Sequence, residues 1–250
     1  LSARGTSIGA EGVAVFGCDG PPPRRFQVIG ERSSGTNYLT RLIKRNLALT
    51  PTDAYGWKHG FPQMMGVAPD VLLIGSVRGA LDWVLSMYAK PWHCRAEMQR
   101  LDLSAFLRAP WDTVLDRPRY FPKVDPGAIG APLQQDRDPL TGEMFGNLLL
   151  LRRAKARALL GLPSRGGKVA LLRMEEATRA PERVLQRLSE QTGAALTPPF
   201  APVTRRLGAR FNPAVPDRPA PPQALSPEDR AFVLSQLDPQ IEAALGYDYA

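Results

Sequence analysis

The sequence predicts an α/β fold with a mainly parallel central sheet flanked by helices. Three observations carry this. Apolar runs of strand length, "RRFQVIG", "DVLLIGSV" and "KVALLRME", alternate with longer segments of helical period. "DVLLIGSV" is apolar without interruption, as strands buried on both faces are. The first of these runs ends in a Gly-bounded loop that opens a helix, which is how α/β proteins build a phosphate cradle.

Taken in order, residues 1–23 end in "GCDGPPP" and read as a loose lead-in to a domain over residues 24–250. After "RRFQVIG", the segment "NYLTRLIKRNLAL" places Leu39, Leu42, Ile43 and Leu47 on one helical face. "AYGWKHGFP" reads as a short strand running into a loop, with the strand ending at or before Trp57. "RGALDWVLSMYAK" is a helix stopped by Pro91. From about residue 92 to residue 140 the chain is rich in Pro, Arg and Asp, with one helical piece at "LSAFLRAPW". "EMFGNLLLLRRAKARALLGL" reads as a long helix, and "APERVLQRLSEQTG" as a helix with a C-terminal Gly cap. Residues 197–222 carry no periodicity, and "SPEDRAFVLSQLDPQIEAAL" reads as one final helix capped by Ser226. No repeats and no second domain are evident.

The 250 residues are 44% hydrophobic, enough for one sizeable core. Lys and Arg outnumber Asp and Glu by 32 to 24, a net charge of +8 that favours an anionic partner. Cys18 and Cys94 make no CxxC pair and no disulfide framework. With only His59 and His93, a multi-histidine metal site is not expected. Runs such as "VLLIG" fall far short of the roughly 20 residues of a membrane span. A cytoplasmic setting with no integral membrane segment is the expectation.

Three constellations carry candidate chemistry. In "GERSSGTN", Gly30 and Gly35 have the spacing of the Walker pattern, but Thr36 replaces its lysine and Asn37 its Mg²⁺-binding hydroxyl. The backbone amides still suit an anion, with Ser33, Ser34 and Thr36 as neutral donors and Arg32 as a fixed charge. In "VRGALDWVLS", Arg78 ends a strand, where ligands of open α/β sheets bind, and Asp82 and Ser86 follow on one helix face. "GWKHGFP" sets His59 beside Lys58 at a strand-to-loop transition.

Together these residues resemble the sulfotransferase family, which uses 3′-phosphoadenosine 5′-phosphosulfate (PAPS). "SSGTN" is similar to that family's 5′-phosphosulfate loop, "RGALDWVLS" to its 3′-phosphate site, and "KHGFP" to its Lys-x-His-x-Pro segment, with the His one place earlier. The resemblance spans roughly residues 25–247 and is weaker in the C-terminal half, where "NLLLLRRAKARALL", "VALLRMEEATRAPERVLQRLSEQTG" and "LGY" carry it. It implies a P-loop-containing nucleotide-binding fold, PAPS as donor, PAP as product and no metal. It also implies His59 as catalytic base, with Lys58 and Arg32 stabilising the leaving phosphate. The donor contacts would be Arg32, Ser33, Ser34, Gly35, Thr36, Asn37, Arg78 and Ser86. A closing loop in "TRRLGARFNP" would add Arg205, Arg206 or Arg210. Ser33 stands where the family has Lys or Arg, and the nearest cations are Arg32 and Lys58. The acceptor would be a hydroxyl or amine of a small molecule, glycan or lipid, shaped by residues 92–140, and not a nucleic acid. Two other readings of the same residues are an ATP- and Mg²⁺-dependent P-loop kinase and a non-catalytic module that binds polyanions.

Overall fold

Five strands form a single sheet in the order β1-β5-β4-β2-β3 in a computed structural model that describes residues 5–204 and 210–249. They are β1 (Val13–Phe16), β2 (Arg25–Gly30), β3 (Thr50–Pro51), β4 (Val71–Val77) and β5 (Lys168–Arg173). β2 runs parallel to both β3 and β4, and β4 runs parallel to β5, whereas β1 pairs antiparallel with β5. The α/β reading with a mainly parallel, helix-flanked sheet is therefore correct.

The helices are α1 (Thr36–Asn46), α2 (Ala80–Ala89), α3 (Ala96–Arg100), α4 (Leu103–Arg108) and α5 (Leu148–Leu160). They continue with α6 (Met174–Arg179), α7 (Pro181–Thr192), α8 (Pro227–Gln236) and α9 (Pro239–Ala244). The chain divides into two compact units. One holds residues 1–79, 155–209 and 238–250, and the other residues 80–154 and 210–237.

The first unit contains the whole sheet. Alternate residues of each strand face opposite sides, and the two sides bury separate cores. Leu72 and Ile74 of β4 pack with Leu39, Leu42 and Ile43 of α1 and with Val184, Leu185 and Leu188 of α7. Val71, Leu73 and Val77 pack on the other side with Leu159 and Leu160 of α5 and Ile241 and Leu245 of α9. This double burial is why β4 reads as a continuous apolar run.

Four expectations need correction. The lead-in contains β1, whose four residues pair with Val169–Leu172 of β5. The strand expected in "AYGWKHGFP" lies upstream at Thr50–Pro51, and Trp57–Gly60 is a turn closed by the Gly60 amide on the Trp57 carbonyl at 2.9 Å. The long helix starts at Leu148 rather than at Glu143, because the Asn147 side chain caps the amides of Leu149 and Leu150 at 2.9 Å. The final helix is two, since Pro239 cannot continue the hydrogen-bond ladder and Asp238 caps the second at Gln240 and Ile241. The short helices α3 and α6 lack the length for a readable period.

In the second unit α2, α4 and α8 bury Trp83, Phe106 and Val233. Arg108 of α4 bridges to Asp229 of α8 at 2.6 Å and covers the Phe232 ring. Ser226 caps α8 through the Asp229 amide at 3.0 Å, as expected.

Candidate functional site

The loop after β2 occupies the place where chain order along the sheet changes direction. From β2 the chain passes to β3 on one side, then returns to β4 on the other, so the carboxyl ends of β2 and β4 flank a switch point. The register sets Gly30 opposite Ser76. A Cβ on Gly30 would lie 2.4 Å from the Ser76 carbonyl oxygen, so the strands approach this closely only with glycine there.

Residues 31–35 fold back tightly. The Ser34 amide and hydroxyl both donate to the Glu31 carbonyl, at 3.2 and 2.7 Å. Ser76 donates its hydroxyl to the Ser34 carbonyl at 2.5 Å, and Arg78 donates to the Ser33 carbonyl at 3.3 Å. Ser33 and Gly35 both have positive φ, 65° and 85°. Left-handed residues alternating with right-handed ones turn successive amides toward one concave side, which is the geometry of an anion nest. Gly35 is also the N-cap of α1, with no side-chain cap, so the first-turn amides of that helix face the same region.

Three charged or titratable groups surround this cradle. Lys58 reaches the α1 N-terminus, its Nζ donating to the Asn37 side-chain oxygen at 2.5 Å, and burial pushes its ammonium below the ordinary value. Arg32 is only 2% exposed and stands over the Trp57 ring at 5.8 Å. His59 is half-buried, and its Nδ1 donates to the Gly30 carbonyl at 2.8 Å, because a carbonyl oxygen can only accept. Burial first, then the Lys58 ammonium, with Arg32 and Lys155 adding to it, press the imidazole well below its ordinary value, against the opposing Gly30 bond. The ring is accordingly neutral at pH 7, with its basic lone pair on Nε2.

Of the residues expected from sequence, Arg32, Ser33, Ser34, Gly35, Thr36, Asn37, Lys58, His59 and Arg78 gather within the first unit around the ends of β2 and β4. Ser34 and Thr36 are buried, and the single hydroxyl proton of Ser34 is engaged by Glu31. Ser34 thus braces the loop rather than donating outward. Ser86 is half-buried on α2, and Arg210 is exposed; both belong to the second unit. Arg205 and Arg206 lie outside the described residues.

Lys155 was not among the expected residues. It is 3% exposed on α5, donates to the His59 carbonyl at 2.8 Å and lies 3.4 Å from the Glu31 carboxylate. The sequence held a signal for it. Lys155 shares a helical stripe with Leu148, Leu151 and Leu159, all buried, while Arg153 and Arg157 fall on the exposed side.

No protein-family model, no curated protein and no solved structure matches the chain. The site's chemistry therefore rests on its own geometry. Among the described residues, no three His, Cys, Asp or Glu side chains gather as a metal-ligand group, and no helix is long and apolar enough to cross a membrane.

Proposed function

We propose that the chain is a sulfotransferase that moves a sulfuryl group from PAPS to a hydroxyl or amine acceptor. The observation that carries this reading is an imidazole bonded to the Gly30 carbonyl and a lysine bonded to Asn37, adjacent in one turn beside a Gly-bounded loop lacking both Walker residues. PAPS supplies an activated sulfuryl group on a phosphate leaving group, and the loop suits its anionic end. Ser33 and Gly35 keep the amides convergent, and the space at Gly35 has no room for a Cβ. Lys58 brings from the neighbouring turn the cation that the loop itself lacks.

In this reading the His59 Nε2 takes the acceptor proton as the acceptor oxygen or nitrogen bonds to sulfur. The sulfur–oxygen bond to the phosphate breaks, and its electron pair leaves on the phosphate beside Lys58 and Arg32. General-base help of this kind is worth about 10²–10⁴-fold. Positioning and charge stabilisation supply most of the remainder, as in phosphoryl transfer. Arg78 at the end of β4 would receive the 3′-phosphate. The acceptor in this proposal is a small molecule, glycan or lipid.

Calorimetry with PAP and with ATP, each with and without Mg²⁺, tests the reading. PAP is expected to bind without Mg²⁺ and more tightly than ATP. Binding of ATP that requires Mg²⁺, with no binding of PAP, would overturn it in favour of a kinase. Affinity for any polyanion that falls steeply with salt and ignores PAP would favour a non-catalytic module.

A further inference from the structure

We propose that Lys155 is a positioning residue, which with Glu31 locks the His59 turn and the anion loop into one register. Lys155 stands where the two segments meet. Its ammonium donates to the His59 carbonyl at 2.8 Å and faces the Glu31 carboxylate at 3.4 Å. Glu31 begins the loop, and its carbonyl accepts both the amide and the hydroxyl of Ser34. The loop answers in the other direction: the Gly30 carbonyl accepts from His59 Nδ1, and the Gly30 amide donates to the Lys58 carbonyl at 2.8 Å. One buried cation from α5 thus closes a ring of contacts running from Lys155 to Glu31, Gly30, His59 and back.

Burial makes this arrangement consequential. Lys155 and Glu31 are 3% and 7% exposed, so neither charge is cheaply maintained without the other. A neutral methionine would fill a similar volume beside Phe61, whose ring lies 5.4 Å from the ammonium. Methionine would meet neither the His59 carbonyl nor the Glu31 carboxylate, and it would remove a charge beside the imidazole. The charged groups around that imidazole are Lys58 on its own turn, Arg32 and Glu31 on the loop, and Lys155 on α5. Three cations against one carboxylate oppose protonation of the ring. Removing Lys155 takes away one of the cations that oppose protonation of the ring, which favours the imidazolium.

The inference deepens the reading of His59 as base, but its test needs neither PAPS nor turnover. The chain has only two histidines, so NMR resolves their imidazoles, and the variants His59→Gln and His93→Gln assign them. In the unaltered protein His59 is expected as the Nδ1–H tautomer, titrating well below its ordinary range. Lys155→Met is expected to raise the proton affinity of the His59 ring severalfold, with Nδ1–H still held by the Gly30 carbonyl. Lys155→Arg, which keeps the charge, should leave the titration low. If Lys155→Met alone does not fold, the double variant Lys155→Met with Glu31→Gln also neutralises the carboxylate that faces it. There the ring's proton affinity should still rise, by less than in the single variant. An unchanged titration in the folded Lys155→Met protein, or in the double variant, would overturn the proposal. Calorimetry with PAP on the same proteins keeps the two ideas apart. An unchanged His59 titration in the Lys155→Met proteins disproves positioning by Lys155, whereas failure of every protein to bind PAP disproves the sulfotransferase reading.

Discussion

His59 Nδ1 and the Gly30 carbonyl oxygen lie 2.8 Å apart, which ties the imidazole to the last residue of β2. Because the carbonyl can only accept, the bond selects one tautomer and leaves the ring's lone pair on Nε2.

Two outcomes follow for His59. His59→Ala should lose about 10²–10⁴-fold in turnover with a confirmed acceptor while binding PAP nearly as well as the parent. Stability should also depend on this ring, with a definite sign. The native imidazole is held well below the unfolded value of 6.5, so below that pH the unfolded chain binds a proton that the native ring refuses. The native state is favoured above that pH and loses stability as pH falls through 6.5 toward the native value. Urea midpoints of the parent and His59→Gln, compared at neutral and mildly acidic pH, should converge as the pH drops. A constant gap would mean that the ring titrates alike in both states.

How much of this was legible in the sequence depends on how local the cause is. α1 and β4 were readable because burial stamps a period of 3.6 on Leu39, Leu42 and Ile43 and an unbroken apolar run on Val71–Val77. Gly193 marked the end of α7, and it does cap that helix in the left-handed conformation. β1 was not readable, because four residues become a strand only by pairing with β5, more than 150 positions away. In the site, "SSGTN" and "KHG" announced themselves through loop chemistry. Lys155 did not, since its meaning lies in contacts with residues 96 and 124 positions distant.

Lys58 is the cation that the loop lacks, placed from outside it. Its ammonium sits on the first turn of α1 and is already depressed by burial, so an incoming anion restores charge compensation there. Lys58→Met should weaken PAP or pyrophosphate binding by about 1.5–3 kcal/mol, a ten- to hundredfold change by calorimetry, and should lower turnover as well. Lys58→Arg should recover part of the affinity. Unaltered binding in Lys58→Met would remove the lysine from the anion site.

Gly35 tests the cradle's backbone. Its φ is 85°, and a Cβ there would overlap the Met174 sulfur at 1.9 Å. Gly35→Ala should cost about 2–4 kcal/mol of stability, combining left-handed strain with overpacking against α6. Trimming the obstacle separates the two parts: Gly35→Ala with Met174→Ala should recover stability relative to the same cavity in Met174→Ala alone. The coupling is read from a double-mutant cycle of denaturant midpoints. Strict additivity would place the whole cost in the backbone.

Arg78 decides whether the site reads one phosphate or two. It ends β4 in the strand register next to the loop, and its guanidinium already touches the loop through the Ser33 carbonyl at 3.3 Å. In the proposed reading, a ligand with a 5′-phosphate alone needs only the amides at Gly35 and the start of α1. A ligand with a further 3′-phosphate presents a second dianionic group, which a guanidinium meets with paired, charge-assisted bonds. PAP should therefore bind more tightly than 5′-AMP, and Arg78→Ala should remove most of that preference. The expected loss for PAP is about 1.5–3 kcal/mol. Part of any loss could come from a loosened loop, since the Ser33 contact goes as well, and 5′-AMP measures that part because it uses the loop without the 3′ site. Arg78→Lys should keep the charge but lose the paired geometry, giving an intermediate affinity for PAP and an unchanged one for 5′-AMP. If Arg78→Ala weakens PAP and 5′-AMP equally, Arg78 serves the loop alone and the second phosphate has no site at the end of β4.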